Sequence, residues 1–248
     1  MTLGAMTLGA MTLGAMTLSA GCYALGYLTG LAAFAWMAHR RHLATGGIMA
    51  VMGAGLLGGL VGANLTQWAY SSLVGGGEAG KTVLGGIAGG YLSVLLYKRY
   101  LGIRRPTGDL FAVAISAGEA VGRWGCFFGG CCYGKACALP WSVHQHGAWR
   151  HPTQLYLSGA NALILVALWR FDKMRPPENG LFYLQGVLYC AARFVIEFFR
   201  EGPPPVWGLT GAQWACIAGF IFFGARLRLL LRPARPVSAA PSDAVPAR

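Results

Sequence analysis

Seven apolar stretches joined by short links constrain this chain more than any other feature. Hydrophobicity windows of about 19 residues place them at roughly 18–38, 46–68, 83–97, 110–128, 155–169, 181–199 and 213–230. The charge needed for a water-facing surface is missing. Among 248 residues there are 20 Lys or Arg and eight Asp or Glu, so 11% are charged and 55% hydrophobic. A soluble domain carries about a quarter charged residues. Soluble globular and disordered classes are therefore excluded. The expected fold is all-α, a polytopic membrane protein of about seven transmembrane helices. The third and fifth stretches fall short of the ~20 residues of a span, so they extend into their flanks or tilt little. Paired glycines, Gly53/Gly55, Gly58-Gly59, Gly85-Gly86 and Gly89-Gly90, would let helices approach closely where lipid supplies no hydrophobic drive.

The net charge of +12 would point to nucleic acid in a soluble protein. Here the basic residues sit between apolar stretches, so anionic lipid is the expected partner and nucleic acid is not. Fourteen of the 20 basic residues follow stretches one, three, five and seven: Arg40, Arg41, Lys98, Arg99, Arg104, Arg105, Arg170, Lys173, Arg175, Arg226, Arg228, Arg232, Arg235 and Arg248. The positive-inside rule then puts the N-terminus out and the C-terminus in. Residues 1–17 repeat MTLGA three times before MTLSA, without charge. With no basic n-region they read as an apolar extension of the first span, or as a start assigned too far upstream, rather than a signal peptide. Residues 18–231 form the seven-span domain, with 129–152 as its longest outward loop. The Pro/Ala/Ser-rich 232–248 reads as a disordered cytoplasmic tail.

Ionisable residues inside spans are costly and mark function. Glu119 and Arg123 stand four apart in span four, and Arg193, Glu197 and Arg200 recur at i, i+4, i+7 in span six. Each set shares a helical face. Arginine's fork of donors suits phosphate or carboxylate, so two arginine stripes suggest a phospholipid headgroup site near the outer ends of these spans. The alternative is that Glu119–Arg123 and Arg193–Glu197 are internal ion pairs that fix packing. His144, His146 and His151 lie in the outward loop, and imidazole is the side chain whose charge can change near neutral pH. Four cysteines cluster as Cys126-x4-Cys131-Cys132-x4-Cys137. Three readings stand open: a disulfide pinning the loop, a soft-metal or thiol-redox site whose spacing is not CxxC, or buried thiols acting as small hydrophobes. Cys22, Cys190 and Cys216 read as packing.

The block Gly122-Arg123-Trp124-Gly125-Cys126-Phe127-Phe128-Gly129-Gly130-Cys131, then Tyr133-Gly134-Lys135 and Leu139-Pro140-Trp141, resembles the signature of prolipoprotein diacylglyceryl transferases. That signature runs roughly G-R-x-G-N-F-x-N-G-E-x-x-G-R, then L-P-W. Arg150-His151-Pro152-Thr153-Gln154-Leu155-Tyr156 resembles the family's R-H-P-[ST]-Q-L-Y-E. Gly180-Leu181-Phe182 and Arg193 through Glu201 resemble its penultimate span, R-x-x-x-E-F-F-R. Gly211-Ala212-Gln213 resembles the start of its last span, and Tyr23 falls where the family has W-Y-G. The resemblance implies a multi-pass enzyme of the bacterial cytoplasmic (inner) membrane, N-out and C-in. It would transfer a diacylglyceryl group from phosphatidylglycerol to the lipobox cysteine of a preprolipoprotein, with release of glycerol phosphate. No metal or organic cofactor is implied. Arg123 and Arg200 match family arginines and become lipid-phosphate anchors, with Arg193, Glu197 and Gln154 beside them.

The chain departs from the pattern at several polar positions. Where the family has S-F-H-G-G, this chain has Thr82-Val83-Leu84-Gly85-Gly86, so Leu84 stands for the proposed catalytic histidine. Cys126 and Gly129 replace two asparagines, and Cys131 and Leu157 replace two glutamates. Asn64 stands where an arginine is expected. Leucine cannot accept a proton, so His151 and Tyr23 become the catalytic candidates, unless the acceptor cysteine arrives partly ionised. Two other functions fit the altered residues: a membrane transferase using an anionic lipid with another acceptor, and a non-enzymatic lipid-binding or thiol- or metal-handling membrane protein.

Overall fold

The computed structural model describes residues 3–74, 83–202 and 207–232. The proposed tail beyond Arg232, the linker holding Lys81 and Thr82, and the first two residues of the repeat lie outside them. Seven helices occupy the seven apolar stretches: α1 Leu3–Arg40, α2 Gly46–Val74, α3 Val83–Tyr100, α4 Gly108–Phe128, α5 Thr153–Lys173, α6 Gly180–Glu197 and α7 Gly211–Leu230. The all-α reading holds, with one addition. A two-stranded antiparallel hairpin, β1 Val143–Gln145 and β2 Ala148–Arg150, stands in the loop between α4 and α5. Its two-residue turn, His146-Gly147, has φ of 52° and 75°. That is the left-handed pair demanded by a type I′ hairpin.

Among the described residues, three segments are long and apolar enough to cross a membrane: Gly14–Arg40, Gly46–Ala69 and Gly211–Leu230. Helices α4 and α6 carry Asp109, Glu119, Arg123, Arg193 and Glu197, and α5 carries Gln154, Ser158 and Asn161. These polar side chains lower the hydropathy of the helices that bear them. Large apolar side chains cover the outside of α2, α3 and α7, among them Leu57, Val61, Leu65, Ile87, Leu96, Ile221 and Phe222. An apolar surface this extensive belongs in a nonpolar medium.

Glycine sets the two closest helix contacts. A Cβ on Gly26 of α1 would lie 2.7 Å from the Cα of Gly122 on α4. One on Gly62 of α2 would lie 2.3 Å from the carbonyl oxygen of Gly85 on α3, and one on Gly89 would lie 2.4 Å from that of Gly58. No larger residue permits these backbone approaches. The expectation for Gly58, Gly85 and Gly89 is met, whereas Gly53 has open space beside it.

The apolar core gathers at the ends of the helices remote from the hairpin: Phe34, Met37 and Ala38 of α1, Ile48 of α2, Leu110 and Ala112 of α4, Ile164 and Leu168 of α5, and Leu181 of α6. A charged clamp closes this end. Arg41 donates to Asp109 at 2.7 Å and to Asp172 at 2.6 Å, and Arg40 meets Asp172 at 2.9 Å. Asp109 also accepts from the backbone N–H groups of Asn179 and Phe182 at the start of α6, where free N–H groups favour an anion. One carboxylate thus ties α1, α4 and α6 together. The sequence reading assigned these residues no structural role.

Asp109 is 5% exposed, whereas the Arg40 side chain is 41% exposed. Asp109→Ala leaves Arg41 with Asp172 alone and takes the acceptor from the Asn179 and Phe182 N–H groups; it is expected to destabilise by about 3 kcal/mol, while Arg40→Ala costs under about 1 kcal/mol. Thermal unfolding in detergent measures both. Equal losses would contradict the clamp.

Candidate functional site

Two ion pairs stand inside the bundle at the end where the hairpin lies. Arg123 donates through Nε to Oε2 of Glu119 at 2.7 Å, one turn earlier on α4. Arg193 pairs with Glu197 across one turn of α6. The packing pairs weighed in the sequence therefore exist. They do not exhaust the arginines. Helix α6 ends at Glu197, so Arg200 is not the i+7 member of a continuous helical face. It lies past the helix end, and its Nη1 reaches only to 3.8 Å from Glu197. Among the described residues its buried Nε has no hydrogen-bond partner. Three guanidinium groups thus face two carboxylates, and one donor points into the interior unused. Tyr189 of α6 lies within electrostatic reach of Glu119, Arg123 and Arg193 and joins the two pairs into one cluster.

Glu197 is the hub. Its Oε1 accepts from Thr210 Oγ1 at 3.2 Å. Thr210 is the N-cap of α7, in a capping box in which its side chain accepts from the Gln213 N–H and Gln213 Oε1 accepts from its own. Glu197 thereby fixes the end of α6 to the start of α7. The T-x-x-Q pattern at 210–213 was readable as a capping box, but no local signal shows that the cap also holds the site's carboxylate.

The outward loop forms a cover built on backbone pairing. Residues 134–136 lie between β2 and the segment after α6, with Ala136 bridged to Arg150 and Gly134 to Arg200. Lys135 N–H donates to the Phe199 carbonyl at 2.8 Å, and His151 N–H to the Lys135 carbonyl at 3.1 Å. A Cβ on Gly134 would fall 2.5 Å from the His151 carbonyl oxygen, so only glycine fits. Arg150 of the matched R-H-P motif is structural. It donates to the carbonyls of Gln145 and Gly134, pairs with Glu201 at 3.0 Å and stacks over Tyr133.

Below this cover the chain turns sharply after α4. Gly130 and Cys132 both have positive φ, 66° and 59°. For a cysteine this is an uncommon, strained conformation. It is held from both sides: Gln154 Nε2 donates to the Cys131 carbonyl at 2.7 Å, Thr153 Oγ1 to that of Cys132 at 2.7 Å, and His146 Nε2 meets the Gly130 carbonyl at 2.6 Å. The turn folds Cys131 and Cys132 back over Cys126, and the three Sγ atoms lie within 4.8 Å of one another. Tyr23 from α1 donates its hydroxyl to Cys126 Sγ at 3.3 Å and lies 3.7 Å from Cys131 Sγ. Cys137 stands outside the group; its backbone pairs with Trp149. The four-cysteine cluster expected from spacing is a trio, and its members are free thiols.

The remaining candidates are placed as follows. His151 contacts the Tyr156 hydroxyl through Nδ1 at 3.2 Å, and its ring packs on Phe199. Gln154 is 1% exposed, bound to Cys131 and Gln145, with Oε1 unpartnered. It shapes the thiol turn. Side chains around Leu84 lie outside those described. Cys132 stands in the field of Arg200 and Arg123. Thiol hydrogen bonds with Cys126 and Cys131, then these guanidinium groups, outweigh burial and hold its thiol far below the ordinary cysteine range. The same exchange pushes Cys131 up.

The sequence profile of the family described as prolipoprotein diacylglyceryl transferase matches residues 10–228. A phosphatidylglycerol–prolipoprotein diacylglyceryl transferase of Nitratidesulfovibrio vulgaris is 30% identical over 238 residues, 85% of this chain and 88% of that protein. One from Streptomyces coelicolor is 29% identical over 243 residues, covering 86% and 70%. One from Bordetella avium is 36% identical over 157 residues, 58% of each.

Because its surroundings lower the Cys132 thiol, its alkylation by iodoacetamide in chelator-treated protein should proceed as fast at about pH 6 as at about pH 9. Peptide mass spectrometry reads the rate. A rate rising tenfold per pH unit across that window would contradict the assignment.

Proposed function

We propose, from the premise that this chain belongs to the prolipoprotein diacylglyceryl transferase family, that it transfers a diacylglyceryl group from phosphatidylglycerol to a cysteine thiol of a preprolipoprotein. The observation that carries this reading is the surplus of guanidinium over carboxylate, with the buried Arg200 Nε left without a partner. A lipid phosphodiester supplies one negative charge and the acceptor oxygens that donor lacks. As the bond from the diacylglyceryl carbon to the phosphate oxygen breaks, negative charge develops on the phosphate. Arginines already oriented by Glu119 and Glu197 stabilise it without reorganising. Arg123 and Arg200 are the anchors and Arg193 the supporting cation. Tyr23, directed at the thiols, orients them. His151, at the cover beside Tyr156 and Phe199, is the imidazole placed to take up a proton.

The reading extends to topology. All seven helices span the bilayer, with the N-terminus out, the C-terminus in, and the hairpin cover on the outer face of a bacterial inner membrane. Support comes from the ion pairs: α4 and α6 become spans once their charges are paired inward. It comes also from the placement of Arg40, Arg41, Lys98, Arg99, Arg170 and Lys173 at or just past the ends of α1, α3 and α5, on the side predicted to be cytoplasmic.

The test is transfer by purified protein from phosphatidylglycerol to a lipobox peptide, read as a diacylglyceryl adduct by mass spectrometry. Arg123→Ala and Arg200→Ala should each lower the rate by about 100-fold or more, compared at a temperature below the thermal midpoint of both variants. An adduct formed at the wild-type rate by both variants would remove the anchors. No adduct from the wild type, beside an active relative, would remove the function.

A further inference from the structure

The trio Cys126, Cys131 and Cys132 takes no part in the phosphate chemistry above, yet the fold builds it with care. Three thiol sulfurs on one strained turn lie within 4.8 Å of one another. The carbonyls of that turn are fixed by Gln154, Thr153 and His146, and a phenol hydroxyl from another helix faces two of the sulfurs. Cys131 is exposed and Cys126 buried, so the group opens on one side only. A tetrahedral ion with zinc–sulfur bonds of about 2.3 Å needs sulfurs roughly 3.8 Å apart, a small contraction of what is present. Such positioning of neighbouring carbonyls is what metal sites require of their surroundings. The ion's own two positive charges offset two of the three that the thiolates bring.

We propose that Cys126, Cys131 and Cys132 hold one zinc ion through three thiolates, and that its fourth position takes the thiol of the acceptor cysteine. The inference rests on the transferase reading and deepens it. Zinc is favoured over a monovalent soft ion because three sulfurs leave it a vacant tetrahedral position, the mark of a reactive rather than a purely structural site. The ion answers the loss of a base at Leu84. A thiol that binds zinc is deprotonated on binding, and its proton passes to solvent. The sulfur electron pair then forms the bond to the diacylglyceryl carbon. The carbon–oxygen bond to phosphate breaks, and its electron pair leaves on the oxygen of glycerol phosphate. Nothing is oxidised or reduced. The thioether product carries no charge, binds zinc weakly and departs.

The full chain, purified in detergent under reductant and without metal-affinity resin, is assayed for zinc by elemental mass spectrometry and for transfer to a lipobox peptide. About one zinc per chain is expected in the wild type and in Cys137→Ser, and under about a tenth of that in Cys131→Ser and Cys132→Ser. Chelation should abolish adduct formation and zinc alone should restore it. If a cysteine variant fails to fold, chelation and re-addition on the wild type still decide the matter. Adduct formation unaffected by chelation, or a disulfide between members of the trio in the active protein, overturns the metal site and leaves the transferase standing. Bound zinc with no adduct, beside an active relative, overturns the transferase reading and with it the acceptor's place on the metal.

Discussion

A carboxylate buried among guanidinium groups organises this molecule. Glu197 is 6% exposed. Alone in an apolar bundle, such a charge would be expelled or neutralised. It persists because Arg193 pairs with it one turn away, Arg200 approaches from the other side and Thr210 donates to it. Those partners belong to α6, to the segment after it and to the cap of α7. Satisfying one charge therefore positions the arginines, terminates a helix and starts the next. The clamp of Asp109, Asp172 and Arg41 does the same work at the opposite end. Between the two polar ends the helices meet largely through apolar surface and glycine contacts, with Ser158 of α5 donating to the Ala120 carbonyl of α4.

The two ends differ in one respect that separates structure from chemistry. At the clamp, Asp109 accepts from Arg41 and two backbone amides, so its charge is met on all sides. At the hairpin end cations outnumber anions, and Arg200 Nε and Gln154 Oε1 are buried without partners. A buried polar group without a partner calls for an explanation, and a bound ligand is one. The strained Cys132 stands beside the second set, as backbone strain commonly does near reactive centres.

Much of this was legible in the sequence, for identifiable reasons. All seven helices follow from hydropathy, because apolar length is a local property. The pairs Glu119–Arg123 and Arg193–Glu197 follow from i, i+4 spacing, also local. The His146-Gly147 turn between Val143-His144-Gln145 and Ala148-Trp149-Arg150 is a hairpin signal that the all-α reading passed over. What spacing could not give are contacts across the chain. Asp109 meets Arg41 and Asn179 from about 70 positions away on either side. Cys137 leaves the cysteine group because its backbone N–H donates to the Trp149 carbonyl. Arg200 leaves the helical face because α6 stops at Glu197. Each is decided by a partner that the local sequence does not contain.

The central claim is that the surplus guanidinium cluster binds one lipid phosphate. Native mass spectrometry of the detergent-released protein, offered phosphatidylglycerol and a neutral diacylglycerol of equal chain length, tests it most directly. The account predicts one phosphatidylglycerol retained per chain, lost in Arg200→Gln while the thermal midpoint holds. Equal retention of both lipids, or undiminished retention by the variant, would contradict it.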